Sequence, residues 1–135
     1  MQPAVAYGYF PCGRDGNAVA VFDPDSNREL GRFTLPRQRS GNRYCIADFY
    51  RDLSSGHPTD VLPMQAVTMG EKASVFAQKL FEADSYSDYL FFHGLAVQMA
   101  EALAEWTHAR IRRECGFADP DGMPLRDVLA QRYRG

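Results

Sequence analysis

The feature that most constrains this chain is an unbroken helical pattern past its midpoint. The segment "SYSDYLFFHGLAVQMAEALAEWTHARIRRECG", residues 85–116, holds no proline and a single internal glycine, Gly94. Ser85 and Asp88 match a Ser-x-x-Asp capping box at its start. Arg110, Arg112 and Arg113 stand where cations suit a helix C-terminus. Gly116 suits the left-handed residue that follows one. The spacing predicts one helix of about 30 residues, long for a globular domain. A chain of 135 residues fits one domain and one core.

At about 100° per residue, Phe92, Leu95, Met99, Leu103 and Trp106 fall on one narrow stripe, which the periodicity assigns to the core. The opposite side carries His93, Val97, Glu101, Ala104 and His108. A narrow wedge at Gln98, Glu105 and Arg112 is left for solvent. A helix apolar over most of its girth is expected to lie sandwiched between other elements. Glu101 is set among Ala100, Ala102 and Ala104, small neighbours that leave room for something to approach its carboxylate. The plainer alternative is a solvated glutamate, or one paired with an arginine.

Two further helices are expected. "EKASVFAQKLFEA" (71–83) spaces Ala73, Phe76, Ala77, Leu80 and Phe81 at helical intervals. "PLRDVLAQRY" (124–133) has Pro124 in its first turn. It follows a loop, "ADPDGMP" (118–124).

Ahead of Gly70 the period changes. "AVAYGYF" (4–10) is β-rich and is expected to stop at Pro11. "GRDGN" (13–17) is a turn signalled by Asp15-Gly16. "AVAVFD" (18–23) is an apolar strand, "PDSNREL" (24–30) a second turn and "LGRFTLP" (30–36) a roughly alternating strand. Together they predict an antiparallel meander. "RYCIADF" (43–49) is strand-like, "RDLSSGHPTD" (51–60) a polar loop and "VLPMQAVTM" (61–69) a further strand. Pro63 suits an edge or entry position there.

Composition excludes several classes. With a formal charge of −2 there is no basic field for nucleic acid or an anionic membrane. The one dense basic cluster, Arg37, Arg39 and Arg43, is too small to change that. Cys12, Cys45 and Cys115 are odd in number and widely spread, which argues against a secreted disulfide framework. His57, His93 and His108 lie far apart and no CxxC or HxxxH spacing exists, so no zinc site is expected. The N-terminus lacks the regions of a signal peptide, and no apolar run approaches a membrane span. A soluble cytoplasmic protein follows, with no nucleic-acid or membrane partner.

"NRYCIADF" (42–49) places a thiol three residues before a carboxylate. A cysteine nucleophile needs a base and an electropositive setting, and Cys45 has no histidine within ten residues. In a strand, positions 45 and 48 also point to opposite faces. Cys45 is therefore expected to be a small, inert, buried hydrophobe. Asp48 is expected to be a polar anchor that caps a turn or binds an arginine of "PRQRSGNR". "VTMG" before "EKA" could offer free N–H groups to an anion, but with a single glycine it reads first as a strand-to-helix turn.

Taken in order, "YGYFPCGRDGN", "LPRQRSGNRYCIADF", "VTMG" and "YLFFHGLAVQMAEALAEWTHARIRRE" resemble the C-terminal activation domain of cobalamin-dependent methionine synthases, from Tyr7 to Gly135. The resemblance implies an α+β fold: a bent antiparallel β-meander flanked by helices, including one long central helix. It implies a single domain over 1–135, the central part of such an activation domain, truncated at both ends. It also implies a role in methionine biosynthesis: positioning S-adenosylmethionine for remethylation of cob(II)alamin. The implied partners are a cobalamin-binding module of the synthase, which brings the cobalamin, and flavodoxin or a similar reductase.

Methyltransferase activity belongs to the synthase; whether the isolated chain counts as an enzyme stays open. Glu101 matches a family glutamate facing the ligand and cobalamin side. No residue is expected to be catalytic or to hold a metal, because the cobalt and the sulfonium carry the chemistry and the protein positions them. The family's ligand grips lie largely outside the aligned region. They include an acidic residue ahead of it and an arginine and aromatic in an "R-x-x-x-G-Y-x-A-C-P"-like segment after "YRG". Affinity of this chain for S-adenosylmethionine is therefore expected to be weak or absent. The alternative is a truncated structural or docking module that packs on a cobalamin-binding partner without binding S-adenosylmethionine.

Overall fold

A two-residue hairpin opens the fold. β1 (Ala4–Asp15) and β2 (Ala18–Phe22) pair antiparallel from Cys12↔Val21 to Asp15↔Ala18. Gly16, at φ 60°, takes the first loop position, where the tight reversal needs a left-handed residue. β3 (Glu29–Thr34) returns antiparallel on β2, and β4 (Asp60–Thr68) completes a four-stranded sheet in the order β3-β2-β1-β4. The first three strands are neighbours in chain order, as the meander reading requires, whereas β4 crosses back to the opposite edge beside β1. The computed structural model describes residues 1–56, 60–120 and 123–133. The loop readings at 57–59, with His57, and at 121–122 lie outside the described residues.

Two strand expectations are corrected. β1 does not stop at Pro11 but runs on to Asp15. Its ladder with β2 begins only at Cys12, so Pro11 lies outside that ladder and takes no N–H from it. Residues 43–49 are not a strand. Arg43 is left-handed at φ 54°, and Ile46–Phe49 form a 3-10 turn. The Cys45 N–H, which a ladder would use, is taken by the Asp48 carboxylate at 2.9 Å. Pro63 does lie on an edge strand, β4.

Contacts divide the chain into two compact units, Tyr7–Met64 and Met1–Ala6 with Gln65–Gly135. The first is built round Cys12, Val19, Cys45 and Ala47, with Leu35, Tyr50 and Leu62 packed against them. The second holds α1 (Glu71–Glu82), α2 (Tyr86–Glu114) and a short α3 (Leu125–Leu129), which ends before the expected residue 133. Within it α1 meets α2 through the buried Ala73 and Ala77 and an edge-to-face contact of Phe76 with Phe92, centroids 4.7 Å apart. "VTMG" is the strand-to-helix turn: the Gly70 N–H donates to the Thr68 hydroxyl at 3.0 Å.

α2 spans its expected length, but the Ser85 side chain makes no capping bond. Its C-terminus closes with Gly116 N–H to Arg113 O (3.1 Å) and Phe117 N–H to Arg112 O (3.0 Å), a Schellman motif with Gly116 at φ 85°. α1 closes in the same way on Asp84, a residue without glycine's freedom, at φ 55°.

The assignment of sides on α2 is also corrected. Of the expected core stripe, Phe92 and Leu103 are half-buried, but Leu95 is 54% exposed, Met99 41% and Trp106 64%, so among the described residues the helix is not sandwiched. Its buried positions are Thr107, Ile111 and Arg112. Arg112, assigned to a solvent wedge, is 1% exposed. Other segments approach α2 from a different side: the Gln65 amide donates to Ala104 O at 3.2 Å, and Asp119 reaches back to Arg112.

Gly70 combines φ 85° and ψ 156°, a region open essentially to glycine alone. A Cβ there would lie 2.7 Å from the Gln2 carbonyl oxygen. The Gln2 N–H donates to Met69 O at 2.8 Å, so this backbone cannot easily retreat. Gly70→Ala is expected to cost at least about 2 kcal/mol, read as a lowered denaturant midpoint. An unchanged midpoint would show that the Gln2–Met69 contact is loose.

Candidate functional site

Glu101 is exposed on α2, one helical turn before Glu105. The Gln98 amide donates to Glu101 Oε2 at 3.2 Å. Both glutamates line a groove of about 640 Å³ whose other wall is Leu125, Val128 and Leu129 of α3. Ala102 and Ala104 keep its floor low, as their small size suggested. One wall is anionic and the other apolar, a chemistry that suits an organic cation carrying an apolar body. His93, on the same side of α2, stacks on Tyr89 with centroids 5.6 Å apart and does not line this groove.

A clasp holds the chain beyond α2 next to this groove. The Arg112 guanidinium donates to both carboxylate oxygens of Asp119, at 3.0 and 2.5 Å. Its Cζ lies 3.9 Å from the Tyr133 ring centroid. The Tyr133 hydroxyl donates to Glu105, with oxygens at 3.1 and 3.2 Å, and His108 packs edge-on to the same ring. The Arg112 guanidinium holds the Asp119 carboxyl below its ordinary range. Burial, then the Arg112 charge, lowers the His108 pKa. Burial, then the hydrogen bond with Glu105, raises that of Tyr133. A buried cation needs such partners, since desolvation alone would oppose it. The sequence reading missed Arg112, Asp119 and Tyr133. The one available signal was the polar line Glu105, His108, Arg112 at i, i+3, i+7.

In the Tyr7–Met64 unit, Cys45 and Asp48 do not form a reactive pair. Cys45 is buried in the core, as expected. Asp48 is the anchor: Arg37 donates to both its oxygens at 2.7 Å, and Arg14 approaches at 3.5 Å. Arg37 is one of the three arginines of "PRQRSGNR"; Arg14 went unforeseen. Arg14 also bonds Asp52 at 2.8 Å. Among the described residues no group of three His, Cys, Asp or Glu could hold a metal ion.

The thiols follow from this burial. Cys12 is fully buried, and desolvation followed by the Asp60 charge raises its pKa to about 11. Cys115 is partly accessible. An aromatic disulfide reagent at pH 8 is expected to label Cys115 first and Cys12 and Cys45 only on unfolding. Labelling of Cys45 at a model-peptide rate would refute its core assignment.

The carboxylates set the acid response. Hydrogen bonds from Arg37, then from the Cys45 N–H, hold Asp48 well below the usual carboxylate range. Bonds from Ser54, then Arg14, lower Asp52 to about 2. Both folded values lie below the unfolded ones. The stabilisation is therefore complete above about pH 4 and lost as pH falls through the folded values. The thermal midpoint is expected to drop between about pH 4 and 2, and Asp48→Asn should lower the neutral-pH midpoint while shrinking that drop. An unchanged drop in Asp48→Asn would assign the acid response elsewhere.

With this geometry in hand, similarity to known proteins is informative. The profile of the family described as "Vitamin B12 dependent methionine synthase, activation domain" matches residues 1–135. "Methionine synthase" of Mycobacterium tuberculosis (strain ATCC 25618 / H37Rv) is 43% identical over 144 residues, covering 98% of this chain and 12% of that protein. "Methionine synthase" of Mycobacterium leprae (strain TN) is 44% identical over 146 residues, with the same coverages. The chain thus spans about an eighth of the length of these relatives. A solved structure, "Crystal Structure of the MetH Reactivation Domain bound to AdoHcy", superposes with a TM-score of 0.81 at 26% identity, over 98% of this chain and 42% of that one. No described helix is long and apolar enough to cross a membrane. The chain belongs to the activation-domain family of vitamin B12-dependent methionine synthases.

Proposed function

We propose that this domain serves the reductive reactivation of a cobalamin-dependent methionine synthase and positions S-adenosylmethionine for it through Glu101. The observation that carries the reading is the α2–α3 groove, with Glu101 and Glu105 on one wall and the leucines of α3 on the other. S-adenosylmethionine is cationic at sulfur and has an apolar face, so its chemistry fits such a groove. The similar reactivation domain solved with AdoHcy, the demethylated product of that ligand, adds support.

The cobalamin, bound by another module of the synthase, would supply the cobalt that accepts one electron and then the methyl group, leaving S-adenosylhomocysteine. This chain's own residues bind and orient. Glu101 offers a carboxylate to the ligand's positive charge, and the Arg112–Asp119 clasp keeps α3 beside it. The electron would come from flavodoxin or a similar reductase. The setting is methionine biosynthesis in the cytoplasm, without nucleic-acid or membrane partners. Within this groove the described residues provide no arginine for the ligand's carboxylate, which supports weak binding by the isolated chain.

Glu101→Gln keeps shape and removes charge. An exposed carboxylate near a ligand cation is worth about 1 kcal/mol, or roughly fivefold in affinity. Calorimetry should show S-adenosylmethionine binding weakened by about that factor and S-adenosylhomocysteine binding little changed. Stability should stay within about 0.5 kcal/mol, whereas Ile111→Ala in the buried face should cost about 2–5 kcal/mol. In the full-length synthase Glu101→Gln should slow reactivation and spare turnover with methylated cofactor. Equal affinity of both proteins for S-adenosylmethionine would remove Glu101 from the site. Binding of the cobalamin module without any S-adenosylmethionine binding would favour the docking-only reading.

A further inference from the structure

We infer that the 135-residue chain pairs with a second copy of itself through the side of α2 that carries Phe91, Leu95, Met99 and Trp106, the two helices running antiparallel about a twofold axis. This pairing goes beyond the reactivation role and does not depend on it.

The stripe is apolar and open. From Phe91 to Ala109 this side of α2 carries no charged residue. Phe91 is 79% exposed, and Leu95, Met99 and Trp106 lie open along the same side, with Phe76 of α1 beside them. Together these side chains leave on the order of 600 Å² of mostly apolar surface in solvent, at the top of what a monomer ordinarily shows. Covered on both copies, that is on the order of 1,200 Å², where stable specific interfaces begin.

The surface is complementary to itself. α1 and α2 frame a hollow of about 380 Å³ lined by Phe76, Leu80, Asp88, Phe91, Phe92 and Leu95. It is apolar but for one carboxylate, that of Asp88. Trp106 is the matching knob, a broad apolar ring with a single N–H that needs an acceptor once it is covered. Phe91 and Trp106 lie about 11 Å on either side of a point between Gln98 and Met99, at 1.5 Å of rise per residue. A twofold axis through that point sets the Trp106 of each copy against the hollow of the other, with Asp88 as acceptor, and makes the contact twice. The same axis sets Leu95 against Ala102 of the second copy, a large side chain against a small one.

Charge fixes the direction. Asp84 and Asp88 stand at the N-terminal end of the stripe, Arg110 and Arg113 at its C-terminal end. Antiparallel copies set acid against base at both ends, with Asp84 level with Arg113 of the second copy. Parallel copies would set like against like. A partner of another sequence would have to reproduce this spacing of knob, hollow and charge, which a second copy has by construction. Glu101 lies about 130° round the helix from the stripe, so the pair leaves its carboxylate open.

The test uses the full 135-residue chain. Sedimentation equilibrium should give a dimer at about 100 µM that dissociates in the micromolar range suited to an interface of this size. Trp106 is the chain's one tryptophan, so its emission should move to shorter wavelength as the dimer forms. Leu95→Glu and, separately, Trp106→Ala should each weaken pairing about tenfold or more and leave the helical circular dichroism of the monomer unchanged. In a Cys115→Ser background, oxidation should link a Leu95→Cys chain to an Ala102→Cys chain in a mixture and link neither to its own kind. A chain that stays monomeric at about 500 µM overturns the inference. So does a dimer indifferent to both Leu95→Glu and Trp106→Ala, or one that leaves Trp106 emission in place. Self-linking of the Leu95→Cys chain would report parallel copies and overturns it too. So does an emission shift that appears only when the synthase's cobalamin module is added, which would give this face to that module. Should Leu95→Glu lose helicity, Trp106→Ala and the emission shift decide the outcome.

Discussion

The Tyr7–Met64 unit depends on one carboxylate. Asp48 receives two bonds from Arg37, the N–H of Cys45 and the approach of Arg14. Through Arg37 it reaches Asn17 in the β1–β2 turn, and through Arg14 it reaches β1. A single side chain thus joins the hairpin to the loop that crosses it. It also seats Cys45 and Ala47 in the core, which obliges Tyr44, Ile46 and Phe49 to point outward. Their exposure is the geometric remainder of a well-satisfied anchor.

The helical unit has a counterpart of opposite sign in Arg112. A guanidinium withdrawn from water requires compensation in geometry and charge, which Asp119 and the Tyr133 face supply. The partners come from the chain beyond α2, so satisfying the cation also places α3 along the helix that carries Glu101. The two units use the same device, a multiply bonded ion pair between distant segments, to position short irregular stretches that have too few apolar residues to place themselves.

These anchors mark where the sequence was legible. Gly116 and the absence of proline set the extent of α2, and Asp15-Gly16 set the hairpin, because those signals are local. Cys45 and Asp48 were assigned correctly as core and anchor although the backbone between them is a 3-10 turn and not a strand; the chemistry of the pair did not depend on it. The stripe held at Phe92, which packs on Phe76, and misled at Leu95, Met99 and Trp106, because periodicity ranks sides by bulk, whereas other neighbours pack against small and polar positions such as Ala104, Thr107 and Arg112. Burial of Arg112 could not be read at all from its own helix. Its reason lies seven residues on in Asp119 and 21 residues on in Tyr133. The groove beside Glu101 was legible on one wall only, since alanine spacing is local and the arrival of α3 is not.

The burial of Cys12 and Cys45 has a further consequence. Thiolates are the usual first casualties of oxidants, and reactivity follows access and ionisation. One of these thiols is both enclosed and held in its protonated form; the other is enclosed beneath the Asp48 anchor. Oxidation at Cys115, at the end of α2, would touch neither. The proposed reactivation role would begin once a cofactor had been oxidised, and a module in that role would have to outlast the same exposure; the two core thiols are shielded from it.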